Sequence, residues 1–412
     1  MWTSTLRSPT TNDNTAISNN SLVARNFDQN LPSVSQRLYN LFSNNANYTS
    51  FSNNAWIPLG SNESYDSLES LHDTVHTLAG GGGFGQPNTQ GGHMSFIPYS
   101  GFDPIFWLHH TNVDRIFAIW QALYPDTWVT PQAATLASYT TSKGEIQDSA
   151  TALTPFFAST DGIFWTSDTV RDYTKFGYTY PELMAGPNTS TKARSRVIKA
   201  VNRLYGASSP ASSFMKGTKI ADTKMPRAER QVFGQTGSQG KRKASNEENP
   251  AETVNKGVFS GHQYREWIAN IRVMKQALSE PFAIHIFIGD APRDPRQWPF
   301  SKNHIGMMGV FASTDAHGIS AAHLDVSGTV PLTAALVDKV ASGQLASLDP
   351  QDVEVYLRLN LQKRVLTSSG RLHDVASIAS LKVEIASSVV SAPKTEEELP
   401  KWGAIVVHFE MR

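Results

Sequence analysis

Apolar positions recur at helical spacing in three places along the first 123 residues. Val34, Leu38, Leu41 and Phe42 share one face of a short helix over 34–43. Leu68, Leu71, Val75 and Leu78 form a second stripe over 65–79. Gly80 to Gly83 stop that helix, because glycine past a helix end takes backbone conformations that other residues resist. A third segment, Ile105 to Leu123, is strongly apolar and opens on Asp103-Pro104. Aspartate suits the cap position, and proline suits the first turn, where its missing N–H would have no partner. From 125 to 204 aromatics are frequent and periodicity is weak. Residues 205–256 are rich in Ser, Gly, Lys, Glu and Asn and poor in large apolar groups, so they read as a flexible linker. Beyond them, alternation predicts strands at 282–288, 353–359, 381–385 and 405–409, with one helix over 330–340. The expected fold class is α+β, with a helical core in 1–204, a linker in 205–256 and a mainly β domain in 257–412.

Composition narrows the chemistry. The 412 residues leave room for two cores, and 40% hydrophobic with 17% charged residues is ordinary for a globular protein. Lys plus Arg equals Asp plus Glu at 36 each, so no net field favours nucleic acid or an anionic membrane. No run of 18 apolar residues predicts a membrane span. Met1 to Thr10 lacks the apolar core of a secretory leader, so a cytoplasmic location is expected. There is no cysteine, which excludes thiolate ligands and leaves His, Asp or Glu to hold any metal.

Five of the 12 histidines lie between 72 and 110. His72 and His76 are four apart on the predicted helix, so their side chains project from one face, about 5–6 Å apart at Cβ. Alone, such a pair is as readily two exposed side chains. His109 and His110 sit mid-helix among Phe106, Trp107 and Leu108, and two adjacent imidazoles there are costly to bury without partners or a metal. Hydrogen-bonded core histidines are the competing reading. Asp114, one turn on, could orient an imidazole or anchor the helix. Imidazoles without thiolate suit copper, zinc or iron, and the spacing does not choose among them.

Phe102-Asp103-Pro104-Ile105-Phe106-Trp107-Leu108-His109-His110-Thr111-Asn112-Val113-Asp114-Arg115 resembles the second copper motif of the fungal tyrosinases, a family of type-3 copper proteins. Leu71-His72-Asp73-Thr74-Val75-His76 resembles the element that precedes it there, and Gly92-His93-Met94 the segment between. Residues 257–412 are more loosely similar to the family's C-terminal domain. The resemblance implies a partial type-3 copper helical bundle, with His72, His76 and His110 as ligands of one copper. It makes His109 a neighbour, His93 structural and Phe106 a ring stacked on the cluster. Glu69 corresponds to the acidic residue that holds a water near the site, with Asp73 standing where Asn is frequent, and both are candidate bases. Ile97 would border the substrate entrance, and Tyr178-Thr179-Tyr180 would close the domain. Phe311 or Met308 would plug the pocket from the C-terminal domain, and Lys241-Arg242-Lys243 would be the place for activating cleavage.

The implied activity is oxidation of mono- and o-diphenols to o-quinones by O2, as in melanin pathways. One feature departs from the family. No histidine stands between Met1 and Leu71, so ligands for a second copper are missing, as in a truncated enzyme. Two other readings therefore stand beside the enzyme. One is a mononuclear copper-binding remnant, or a regulator associated with a tyrosinase subunit. The other is a fragment whose core, short of two helices, exposes an apolar face.

Overall fold

A computed structural model describes residues 4–56, 65–81, 90–184, 191–212, 257–312 and 324–411. The first helix, α1, spans Asn20–Asn44, so the periodic stretch at 34–43 is only its C-terminal part. Its earlier buried positions include Asn26, Asn30 and Ser33, which give no apolar stripe to read. A short α2 (Tyr48–Ser52) follows, and α3 spans Leu68–Gly80 with the Ser67 hydroxyl accepting from the Ser70 N–H at 3.1 Å. Next, α4 covers Pro104–Leu123, and the Asp103 carboxylate accepts from the Ile105 N–H at 3.0 Å, as the Asp-Pro pair predicts. Two small hairpins, β1–β2 (Gln132–Ala133 with Ile146–Gln147) and β3–β4 (Ala152–Phe157 with Phe164–Thr166), precede α5 (Ser167–Val170) and α6 (Thr191–Tyr205). Side chains of α1, α3, α4 and α6 share one core around Phe42, Phe51, Trp120 and Val201.

The second half is a pair of antiparallel sheets. One has the order β11-β10-β7-β8, from Leu372–His373, Leu361–Thr367, Phe282–Ile288 and His304–Val310. The other has the order β13-β12-β6-β5, from Lys401–Glu410, Lys382–Ser391, Gln263–Met274 and Phe259–Ser260, with β9 (Asp325–Pro331) also on β6. Their inner faces meet through Trp267, Ile271, Ile284, Ile286, Val326 and Val383. The expected strand 282–288 is β7 itself, 381–385 overlaps the start of β12 from Lys382, and 405–409 falls within β13. On β7 the opposite face carries Ala283 and Phe287, which pack with Leu78 of α3 and partly buried Phe27 and Val34 of α1. Both faces of β7 are therefore buried.

Two elements differ from the sequence reading. The stretch expected as a strand at 353–359 is part of a helix, Pro350–Asn360. Pro350 sits in its first turn, and Val353 and Leu357 share the buried side, while Val355 and Leu359 are exposed. An i, i+4 pair was hidden inside an alternating run. The expected helix 330–340 divides into the end of β9 and a helix Thr333–Ala341, with Val330 in the strand. Of the expected linker, 205–212 is packed, with Ser209 and Ala211 fully buried against the sheet residue Tyr264. The rest of it, including Lys241-Arg242-Lys243, lies outside the described residues.

The sheets seat directly on α1 and α3. Gly306 and Gly309 of β8 and Gly328 of β9 come so close that an added Cβ would meet Ser33 Oγ at 2.4 Å, Thr77 Oγ1 at 2.6 Å and Ser70 Oγ at 2.3 Å. Buried Arg37 binds Asp66 at 2.7 Å and 2.8 Å and donates to Ser70, Thr74 and the Met307 carbonyl. Thr329 of β9 also donates to Asp66, at 2.9 Å. A buried ion pair of this kind is tolerable only because its remaining donors and acceptors are satisfied.

Candidate metal centre

The site is built where α3 faces α4. The segment before α1 positions both ends of it. Leu6 N–H donates to His93 Nδ1 at 3.0 Å, and Arg7 binds Asp103, the cap of α4, through Nε at 2.8 Å and 3.0 Å. His93 is thus a structural acceptor, as expected. A Cβ on Gly80 would lie 2.0 Å from Ser95 Oγ, so the glycine that ends α3 also lets the 93–95 turn press against the helix. Asp114 accepts from Tyr178 at 2.9 Å and from Tyr180. Of the two roles open to Asp114, these bonds make it an anchor for α4.

His72, His76, His109 and His110 each place a ring nitrogen within 4.8 Å of the others. His76 Nδ1 donates to the Met94 carbonyl at 2.9 Å, and His72 Nδ1 to the Asp73 carboxylate at 3.0 Å. Because both partners are acceptors, the protons reside on Nδ1 and both Nε2 atoms present bare lone pairs. Those two Nε2 atoms lie 3.1 Å apart, and His110 Nε2 is 3.3 Å from that of His72. Facing lone pairs repel unless a cation stands between them. Nitrogens bound tetrahedrally at about 2.0 Å from one ion would be about 3.3 Å apart, so the three donors have a metal's spacing. The donor set therefore fits a metal ion of the imidazole-binding kind.

Burial favours the neutral form of His76, His109 and His110. Burial, then His72, lowers the His76 pKa to about 3. Burial, then His72 and His76, lowers that of His109 to about 2. Burial, then His72, lowers that of His110. His109 stacks on His72 with ring centroids 5.0 Å apart and bonds to the His72 backbone, while its Nε2 is buried without a hydrogen-bond partner.

Aromatic rings close the cluster on two sides. Phe106 lies 4.1 Å from the His110 ring, as the motif implied. From the sheet side, Phe311 stacks on His76 at 4.3 Å between centroids and 22° between planes. The other candidate plug, Met308, is fully buried in the sheet core and does not reach the site. Ile97 is exposed in the turn before α4.

Glu69 and Asp73 share the α3 face with His72, and both bind Asn54. The Asn54 N–H donates to Glu69 at 3.0 Å, and its Nδ2 to Asp73 at 3.0 Å. Burial, then Asp73, pushes the Glu69 carboxyl above its ordinary range. Sequence reasoning did not single out Asn54, because an asparagine in an Asn-rich stretch gives no signal until α2 turns it towards α3. Neither did it pair His285 with His304, which face each other across β7 and β8 at 3.1 Å.

A histidine-only metal centre on two helices, covered by a β-sandwich, defines the class. The common central domain of tyrosinase matches residues 2–123, and the tyrosinase C-terminal domain matches residues 266–385. A tyrosinase of Neurospora crassa is 30% identical over 97% of this chain, and one of Podospora anserina is 32% identical over 83%. This chain spans 66% and 62% of their lengths. A solved structure of latent and active mushroom tyrosinase superposes with a TM-score of 0.70 at 24% identity, covering 99% of this chain and 65% of that one, which establishes the shared fold. The chain belongs to the tyrosinase family.

Proposed function

We propose that this chain is the one-copper half of a phenol oxidase, holding copper through His72, His76 and His110. The observation that supports it most is the convergence of three Nε2 atoms, those of His76 and His72 at 3.1 Å and those of His72 and His110 at 3.3 Å. Copper bound there would supply the redox chemistry that the family, one of oxidoreductases, uses on phenols with O2. The residues around it divide the remaining work. Asp73 has both oxygens engaged, by His72 and Asn54, so it orients a ligand rather than serving as a free base. Glu69, with its raised pKa, is the group suited to take a phenol's proton, directly or through a water. Phe311 covers His76 where an aromatic substrate would stack, and so blocks entry while the sheets are seated.

Turnover would need a second histidine triad from outside this sequence. No histidine precedes His72, and among the described residues no other group of three metal-binding side chains is found. The exposed side of α4 favours the reading of a copper-binding half that associates with further polypeptide, since Trp107 and Leu108 are 63% and 72% exposed beside the ligand helix. The test is oxygen uptake by the copper-loaded chain with catechol, before and after limited proteolysis. No uptake in either state is expected, and sustained uptake by the pure chain would overturn the one-copper reading.

A further inference from the structure

Asn54 touches both acidic side chains of the site and the sheets that cover it. It follows α2 and is 2% exposed. Its N–H holds Glu69 and its Nδ2 holds Asp73 Oδ2, while Asp73 Oδ1 accepts from His72 Nδ1. On the other side, the Asn54 carbonyl accepts from the Ser327 N–H at 2.8 Å and from the Ser327 hydroxyl at 3.2 Å. Ser327 is buried in β9, whose backbone is fixed by its pairing with β6.

We propose that Asn54 is a positioning residue for the metal centre, and that it couples seating of the C-terminal sheets to the aim of the His72 ring. The physical argument starts from Glu69 and Asp73, two carboxylates one helical turn apart on α3. Left alone they repel and would swing apart, and Asp73 would leave His72. Two donors from one rigid residue hold both in place. The carboxylate fixed this way keeps the His72 proton on Nδ1 and its lone pair aimed at the centre. Orienting partners of this kind are typically worth 10–100-fold in metal affinity. The sheets then have two opposed effects on one site. Phe311 obstructs it, while Ser327, through Asn54, keeps its ligand set ordered. Cutting the sheets away therefore loosens the centre as well as uncovering it.

The inference rests on metal binding at His72, His76 and His110, and the test separates the two. Competitive Cu2+ titration with a chromophoric chelator is run on the full chain, on Asn54→Ala, on Asp73→Asn and on the double variant. Thermal unfolding of the metal-free proteins checks that each is folded, and Asn54→Ser replaces Asn54→Ala if the latter does not fold. Asn54→Ala is expected to weaken Cu2+ binding about tenfold and to have no further effect in the Asp73→Asn background, because it acts through Asp73. Equal affinity in wild type and Asn54→Ala would overturn the positioning role while leaving the metal site intact. The same loss in both backgrounds would also overturn it, as a general structural effect. Absence of Cu2+ binding by the wild type would overturn both readings.

Discussion

Two adjacent histidines on one helix have different surroundings, and the proposed function gives them different roles on that basis. His110 turns Nε2 towards His72 Nε2 at 3.3 Å, whereas His109 lies flat against the His72 ring and bonds to the backbone behind it. His110→Ala is expected to weaken Cu2+ binding by more than about 100-fold, beyond what an orienting neighbour is worth, and His109→Ala by about tenfold or less. Chelator competition measures both, and the reverse order would exchange their assignments. Phe311 makes a second residue-scale claim. With its ring gone from His76, a simple phenol should bind the copper-loaded chain about tenfold more tightly or better, since the closed conformation no longer competes. Isothermal titration of wild type against Phe311→Ala reads this directly, and equal affinities would show that the ring is no obstacle. At this scale the convergence of His72, His76, His109 and His110, with Phe106 beside them, was legible because motif spacing on a helix fixes which side chains meet. The sequence was silent on Asn54, because an asparagine in an Asn-rich stretch gives no signal until α2 turns it towards α3. It was undecided between Phe311 and Met308, because that choice depends on which way the chain faces after more than 200 intervening positions.

At the scale of elements, legibility followed how much of the signal was local. The start of α4 was legible because Asp103 and Pro104 cap it from their own positions. The first half of α1 was not, because Asn26, Asn30 and Ser33 are buried where apolar residues would normally stand. Helix Pro350–Asn360 read as a strand because its exposed side carries Val355 and Leu359, which completed a false alternation. The seating of β8 on α3 depends on a missing side chain. An alanine Cβ at Gly309 would lie 2.6 Å from Thr77 Oγ1 and 2.8 Å from the Asp73 carbonyl, which backbone cannot readily yield. Gly309→Ala should therefore lower the unfolding free energy by about 1–3 kcal/mol, as overpacking does. Urea unfolding checks this, and an unchanged midpoint would mean that the strand is free to move away from α3.

Across the whole molecule, the helices and the sheets meet through polar contacts as much as apolar ones. Arg37 and Asp66 are satisfied by groups from both sides of the boundary. Glu266 of β6 is fully buried, receives a 3.3 Å bond from Asn40 of α1, and has one oxygen without a hydrogen-bond partner. Burial pushes its carboxyl up to about 7, against the pull of Asn40 and Thr333. The unfolded chain ionises this group near its ordinary value of 4.5, whereas the folded chain keeps it protonated until about 7. Its contribution to stability is thus full below pH 4.5 and lost as pH rises towards 7, by roughly 3 kcal/mol in total. Glu266→Gln should remove that decline from a plot of unfolding free energy against pH, and a decline of equal size in the variant would place its origin elsewhere.

The central claim is that one copper site exists in this chain and that three histidines of α3 and α4 form it. The most direct measurement is copper per chain after equilibrium dialysis, for wild type and for His72→Ala/His76→Ala/His110→Ala. One ion per wild-type chain and none in the triple variant is the predicted result. Two ions per wild-type chain, or one that survives the triple substitution, would contradict it.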